Sequence, residues 1–285
     1  MVNQILIPLD GSESTEEVLH YTHTIASCRP DTALTLLHVT SDEVDSAAKD
    51  NLHLKTLSDL LSAEGWPVDA QVRSGDPVAA ISATADEISA SLIVMSTHGR
   101  SGLERIHKGS ITESVLRVSN CPVFILHSER PEPSDKRSDH LFKRILVPLD
   151  GTSESSAILP CVQQFALFHD STVILFHDGP KDSNNATKDE AAQITHIRAM
   201  LELQSVQMAN AGVRVGVDWT SYRHPIREIL DTVDAMNVDL VAMATHTTAH
   251  ASQPLEESVT ADVIRHAHCP LLVWSSAQCN PRVLQ

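Results

Sequence analysis

The chain has 285 residues, enough for two domains of ordinary size, and its composition (42% hydrophobic, 20% charged) is that of a soluble globular protein. A formal charge of −16 argues against a nucleic-acid binder, which needs a basic face, and against adhesion to an anionic membrane. No apolar run approaches the roughly 20 residues that insert across a bilayer. The first residues lack the basic and apolar stretches of a signal peptide, so the expected compartment is the cytoplasm.

The first half alternates short apolar runs with longer amphipathic ones. Strands are expected at 4–9, 33–39, 68–73, 92–96 and 122–127. Their nearly continuous Ile, Leu and Val content suits strands buried on both faces of a parallel sheet. Helices are expected at about 14–28, 46–63, 77–89 and 110–119. Asp76 before Pro77 reads as an N-cap with proline at the first helical position. Ser110, with Glu113 three residues on, reads as a capping box. Residues 128–141, with Pro131 and Pro133 and no apolar period, read as a linker between a domain at 1–127 and another at 142–279.

The second half repeats the order. Strands are expected at 143–149, 171–177, 213–219, 239–244 and 270–275, and helices at about 154–168, 188–211, 225–236 and 257–267. Three echoes make the duplication explicit. Ile5 to Gly11 matches Ile145 to Gly151, Ile93 to His98 matches Val241 to His246, and Asn120 to Val123 matches His268 to Leu271. The register shift is 140 at the first strand, 139 from His38 to His177, and 148 from Pro77 to Pro225. The extra residues of the second copy therefore fall around its second helix, and Asp178 to Lys188 reads as an exposed loop.

Strand-helix alternation with right-handed crossovers gives an α/β fold, an open parallel sheet with helices on both faces. In such sheets ligands sit beyond the carboxyl ends of the strands, where the strand order reverses. In the first copy those ends carry Leu9-Asp10-Gly11, Val39-Thr40 and Ser96-Thr97-His98-Gly99.

Thr97 to Ser110 runs from a buried strand into a capped helix. Gly99, Gly102 and Gly109 let backbone amides approach an anion closely. Ser110 adds a hydroxyl at a helix start, where the dipole favours negative charge. Arg100, Arg105 and Lys108 make this the most basic stretch of an acidic chain. The pattern reads as a phosphate cradle, although neither Gly-x4-Gly-Lys-Ser/Thr nor a Gly-x-Gly-x-x-Gly after the first strand is present.

The remaining candidates are weaker. Cys28, Cys121, Cys161, Cys269 and Cys279 include no Cys-x-x-Cys pair and read as buried reduced thiols. His38 and His177 repeat, as do His98 and His246; recurrence in a degenerate copy points to a role in the fold, such as bonding a loop carbonyl. His20 with His23, and His266 with His268 and Cys269, do not show four converging zinc ligands. No Gly-x-Ser-x-Gly elbow occurs. No dedicated base stands near where an attacking water would lie.

Taken together, Ile7-Pro8-Leu9-Asp10-Gly11, Leu36-Leu37-His38-Val39, Met95-x-x-His98-Gly99-Arg100-Ser101-Gly102-Leu103, Gly109-Ser110 and Cys121-Pro122-Val123 resemble the universal stress proteins. Both halves share the likeness, as in the tandem form of that family. The resemblance implies two five-stranded parallel sheets of order 3-2-1-4-5, and ATP or AMP held by Gly-x2-Gly-x9-Gly-Ser/Thr. That motif falls on Ser96, Gly99, Gly109 and Ser110, with serine in place of the first glycine. By resemblance, Pro8, Val39 and Met95 line the base pocket and Asp10 meets the sugar or a phosphate-bound Mg²⁺. Gly99, Gly109, Ser110 and the amide of Ile111 hold phosphates, with Leu9, His98, Arg100 and Gly102 completing the nucleotide-binding set. A triphosphate usually brings Mg²⁺ with it. The resemblance also implies last strands that face the other domain, and pairing of the two-domain chain into a homodimer.

The second copy departs from the motif. Ala244, Thr247 and Glu257 stand at the three glycine positions, and Glu256 stands where the first copy has Lys108. A carboxylate at a helix N-terminus already satisfies its dipole. It would also repel phosphate, by ~4 kcal/mol for unit charges about 4 Å apart at an effective dielectric near 20. Asp178 replaces the base-pocket valine. The expectation is one adenine-nucleotide site, in the first copy. Two other readings stay open: a scaffold in which neither half binds nucleotide, given Ser96, and a slow ATPase.

Overall fold

A computed structural model describes residues 3–10, 15–27, 31–40, 47–97, 111–126, 141–180, 187–221, 224–245 and 258–275. Side chains of 15–17 and 47–51 are outside this description. The described residues fall into two compact units, within 1–136 and within 137–277. The proposed linker therefore lies almost wholly outside the described residues, as do the cradle at 98–110 and the capping hydroxyl of Ser110.

In the first unit the elements are β1 (Gln4–Leu9), α1 (Thr15–Ala26), β2 (Ala33–Thr40), α2 (Ala47–Ala63), β3 (Val68–Ser74), α3 (Pro77–Glu87), β4 (Leu92–Ser96), α4 (Ile111–Val118) and β5 (Val123–Leu126). Every strand pair is parallel, in the order β3-β2-β1-β4-β5. Ile5, Leu6, Ile7, Leu36, Leu37, Ile93 and Val94 are fully buried, so the centre of the sheet is the core. Right-handed crossovers put α1 and α2 on one face and α3 and α4, which touch each other, on the opposite one.

The second unit repeats this with β6 (Arg144–Pro148), α5 (Ser153–Ser156), α6 (Leu159–His169), β7 (Thr172–Asp178), α7 (Lys188–Asn210), β8 (Arg214–Thr220), α8 (Pro225–Ala235), β9 (Leu240–Thr245), α9 (Val259–His266) and β10 (Leu271–Ser275). Its parallel order is β8-β7-β6-β9-β10. Numbered within the unit, this is again 3-2-1-4-5.

Two sequence expectations need correction. The third strand of each unit is not buried on both faces. β3 and β8 each end their unit's order and consist of half-buried and exposed residues, Val217 being 46% exposed. The helix expected at 154–168 is broken after Ser156. Pro160 has no N–H to give Ser156, and its ring would clash with that carbonyl, so a new helix starts with proline near its front.

Elsewhere local chemistry matches the elements. Asp76 caps α3 by accepting from Ala79 N at 2.8 Å. Thr187 and Glu190 form a reciprocal capping box at α7. Arg73 of β3 pairs with Glu87 of α3, and the guanidinium holds that carboxyl below its usual range. Gly151 has φ +92°, and a Cβ there would lie 2.6 Å from Ile197 Cγ1, so glycine lets α7 sit against the turn after β6.

Candidate functional site

Strand order alone brings the first unit's described site residues to one end of the sheet. β1 lies between β2 and β4. The carboxyl ends of these three strands carry Pro8, Leu9, Val39, Met95 and Ser96. Asp10 follows β1 directly and is exposed, while Leu9 and Met95 are 7% and 5% exposed. Pro8, Val39 and Ser96 are half-buried. This rim has an apolar floor and a carboxylate at its lip.

Three bonds hold the rim. His38, itself buried, donates from Nδ1 to Leu9 O at 2.7 Å, tying β2 to the last residue of β1. Thr97 N donates to Leu126 O at 2.8 Å as β4 leaves the sheet. Thr112 Oγ1 reaches Ser96 O at 3.5 Å and brings the start of α4, with Ile111, back to the end of β4. His98, Gly99, Arg100, Gly102, Gly109 and Ser110 stand between β4 and α4 in the chain and lie outside the described residues.

The second unit keeps the frame and changes the rim. His177 donates to Leu149 O at 2.7 Å, the counterpart of His38 and Leu9. The role in the fold expected for this repeated histidine is thus present in both units. Where Asp10 stands in the first unit, Asp150 Oδ1 accepts from Thr152 N and Oγ1 at 2.9 and 2.6 Å, closing its own turn. Asp178, at the position of Val39, accepts from Thr220 Oγ1 at 2.9 Å. Ser258, counterpart of Ser110, caps its own helix by accepting from Ala261 N at 3.1 Å. Asp150, Asp178 and Ser258 are thus each hydrogen-bonded within the chain. Glu256 and Glu257 lie outside the described residues.

Sequence reading missed one feature of this unit. Register places Trp219 opposite His177, where the first unit has Val72 opposite His38. The Trp219 ring meets the His177 imidazole edge-on at 4.7 Å, its Nε1 donates to Gly179 O at 2.7 Å, and Arg198 lies over it at 5.7 Å. Only cross-strand pairing reveals this stack; the signal in sequence was a tryptophan in an edge strand.

Outside the rim, Cys121 and Cys269 are buried, while Cys161 is half-buried rather than buried. Burial pushes the Cys121 thiol up to about 12. His23 packs against Trp66, and His266 Nδ1 donates to Asp262 O. Among the described residues no three His, Cys, Asp or Glu side chains gather as a metal site, and no helix is long and apolar enough to cross a membrane.

The sequence signature of the universal stress protein family matches residues 1–127 and again 141–274. The chain belongs to that family. It is 31% identical over 149 residues to universal stress protein MJ0531 of Methanocaldococcus jannaschii, covering 46% of this chain and 86% of that one. It is 26% identical over 148 residues to universal stress protein YxiE of Bacillus subtilis, covering 44% and 99%. One such relative thus matches about half of this chain. A universal stress protein structure from Archaeoglobus fulgidus superposes over nearly the whole length, with TM-score 0.74, 22% identity and coverage of 97% and 99%. At that identity the likeness speaks to the fold.

Proposed function

We propose that this universal stress protein is a stress-response regulator that holds an adenine nucleotide, ATP or AMP, in its first unit alone. The observation that carries the reading is the contrast between the two rims. The first has Asp10, Val39 and Met95 at one sheet end, and its sequence carries Gly99, Gly109 and Ser110 between β4 and α4. The second carries Asp178 bonded to Thr220 and Ser258 bonded to its own helix.

In this reading the base lies on Pro8, Val39 and Met95. Asp10, exposed at the lip, suits the ribose or a phosphate-bound Mg²⁺, a hard cation that takes oxygen ligands. Glycine amides, the α4 N-terminus and Arg100 hold phosphate. Nucleotide occupancy alters the surface of the loop at 98–110 and so what that surface offers to a protein partner, in a cytoplasmic chain that pairs with a second copy. Mass spectrometry of the purified native protein tests it. Co-purified adenine nucleotide supports the reading. An apo protein that also takes up no ATP or AMP favours the scaffold alternative.

A further inference from the structure

We propose that strand β8, the edge of the second unit's sheet, is a docking surface for a second copy of this chain, and that it pairs antiparallel with its own counterpart about a two-fold axis at Gly216. Among the described residues β8 ends the strand order, with β7 on one side only. Thr220 O accepts from Gly179 N at 3.0 Å, and Thr220 is the register partner of Asp178. Thr220 therefore turns its backbone polar groups to β7. By the alternation of a strand so do Asp218, Gly216 and Arg214, while Val215, Val217 and Trp219 turn theirs outward. The outward N–H of Trp219 meets Asp218 Oδ1 at 2.9 Å. No described strand covers the N–H and C=O groups of Val215 and Val217. Such a row is a template for another strand.

Charge selects the register. A centre at Gly216 sets Arg214 opposite Asp218 of the second copy, and by symmetry Asp218 opposite Arg214. Val215 then faces Val217, each pair exchanging both N–H···O bonds. Arg214 and Asp218 form the non-hydrogen-bonded kind of pair, in which side chains come closest. The other centres fit less well. One at Arg214 or Asp218 sets like charges face to face, and one at Val215 or Val217 sets Arg214 opposite Gly216 or Thr220.

The side chains suit this register. By bonding the outward N–H of Trp219, Asp218 holds its carboxylate on the edge itself. Arg214 uses Nη2 on Asp170, its side chain is 58% exposed, and Nε and Nη1 carry further donors. A Cβ added at Gly216 would meet nothing within 4 Å, so two backbones can close at the axis. Exposed Val217 and half-buried Val215 share the face of Trp219, over which Arg198 of α7 lies. The edge of the first unit does not offer the same fit. On β3 the charges run in the reverse order, Asp69 before Arg73, and they are matched within the chain. Gln71 bonds Asp69 at 2.8 Å and Arg73 at 3.2 Å, and Arg73 pairs with Glu87. Aligning β3 antiparallel to β8, Gln71 against Gly216, sets Asp69 against Asp218 and Arg73 against Arg214. Like charges directly opposite are destabilising. The edge that complements β8 is therefore β8 of another copy.

This assigns a face to the pairing with a second copy and does not depend on the nucleotide site. The test uses the full chain. Gly216→Cys places a thiol at the axis, where facing Cα atoms lie about 4.5–5.5 Å apart, within disulfide reach. Mild oxidation should link two chains through position 216, read by non-reducing electrophoresis and peptide mass spectrometry, with the native chain as control for its other cysteines. Sedimentation equilibrium supplies the second arm. Arg214→Asp alone or Asp218→Arg alone should weaken the dimer by about ten-fold or more, because each change acts twice about the axis. The two together should restore it. Arg214 is exposed and Asp218 half-buried on an edge strand, so far-ultraviolet circular dichroism should stay native in each variant. A chain that stays monomeric, no link through position 216, or a dimer indifferent to the single charge reversals would overturn the proposal, as would a double reversal that fails to restore pairing. ATP titration of the same variants reports on the first unit separately.

Discussion

His38 donates its Nδ1 proton to the carbonyl of Leu9 at 2.7 Å, and His177 makes the same bond to Leu149 at the same distance in the other unit. A carbonyl only accepts, so the bond sets the tautomer with the proton on Nδ1. In the first unit it fixes the residue immediately before Asp10. His38→Leu leaves a buried carbonyl without this donor and should cost ~1–3 kcal/mol by urea unfolding. It should also weaken ATP binding several-fold. His177→Leu should destabilise to a similar degree and leave ATP affinity unchanged. Equal loss of affinity in both variants would mean that the histidine acts only through global stability.

Gly179 faces His177 closely: a Cβ added there would lie 2.5 Å from Nε2. Its carbonyl also accepts from Trp219 Nε1. Gly179→Ala must therefore push the imidazole or the strand end aside, at an expected cost of ~1–3 kcal/mol. Unfolding followed by tryptophan emission checks it, and the native emission should shift as Trp219 changes its packing. No change in either would show that the stack has room to give.

Burial beside Phe142 and Phe165, whose ring centroids lie 5.0 and 4.4 Å away, pushes the His169 imidazole down to about 4 from the ordinary 6.5. The unfolded chain takes up that proton at higher pH than the folded one. The contribution of a neutral His169 is therefore fully present above about pH 6.5 and lost as pH falls towards about 4, at most ~3 kcal/mol. Urea midpoints across that window should fall for the native sequence and fall less for His169→Phe. Parallel pH profiles would contradict the assignment.

The thiol of Cys121 stays protonated at neutral pH because burial raises it. Under native conditions at about pH 8, iodoacetamide should spare Cys121 and the buried Cys269 and label the half-buried Cys161 before either of them. Peptide mass spectrometry reads the order; early labelling of Cys121 would show that the bend before β5 opens.

The parts of the fold that were legible in sequence are those governed by local pattern. The apolar runs of β1, β4 and β6 and the cap at Asp76 follow from residue type and neighbours. β3 and β8 were misread as two-sided because an edge strand and a central one share their apolar residues, and only sheet order decides which face meets water. The break before Leu159 was written in Pro160 but masked by the helical period around it. Trp219 against His177, and Met200 against Ser156, depend on pairing across long sequence separations, which no local pattern encodes. Asp10 stood out as an aspartate just past a strand end, whereas Val39 and Met95 entered only through the family resemblance.

If the first unit alone cradles phosphate, calorimetric titration of ATP into the full chain and its Gly109→Glu and Glu257→Gly variants has a definite outcome. The expected result is one ATP per native chain, none for Gly109→Glu, and unchanged binding for Glu257→Gly. Binding that survives Gly109→Glu, or that is lost through Glu257→Gly, would contradict it.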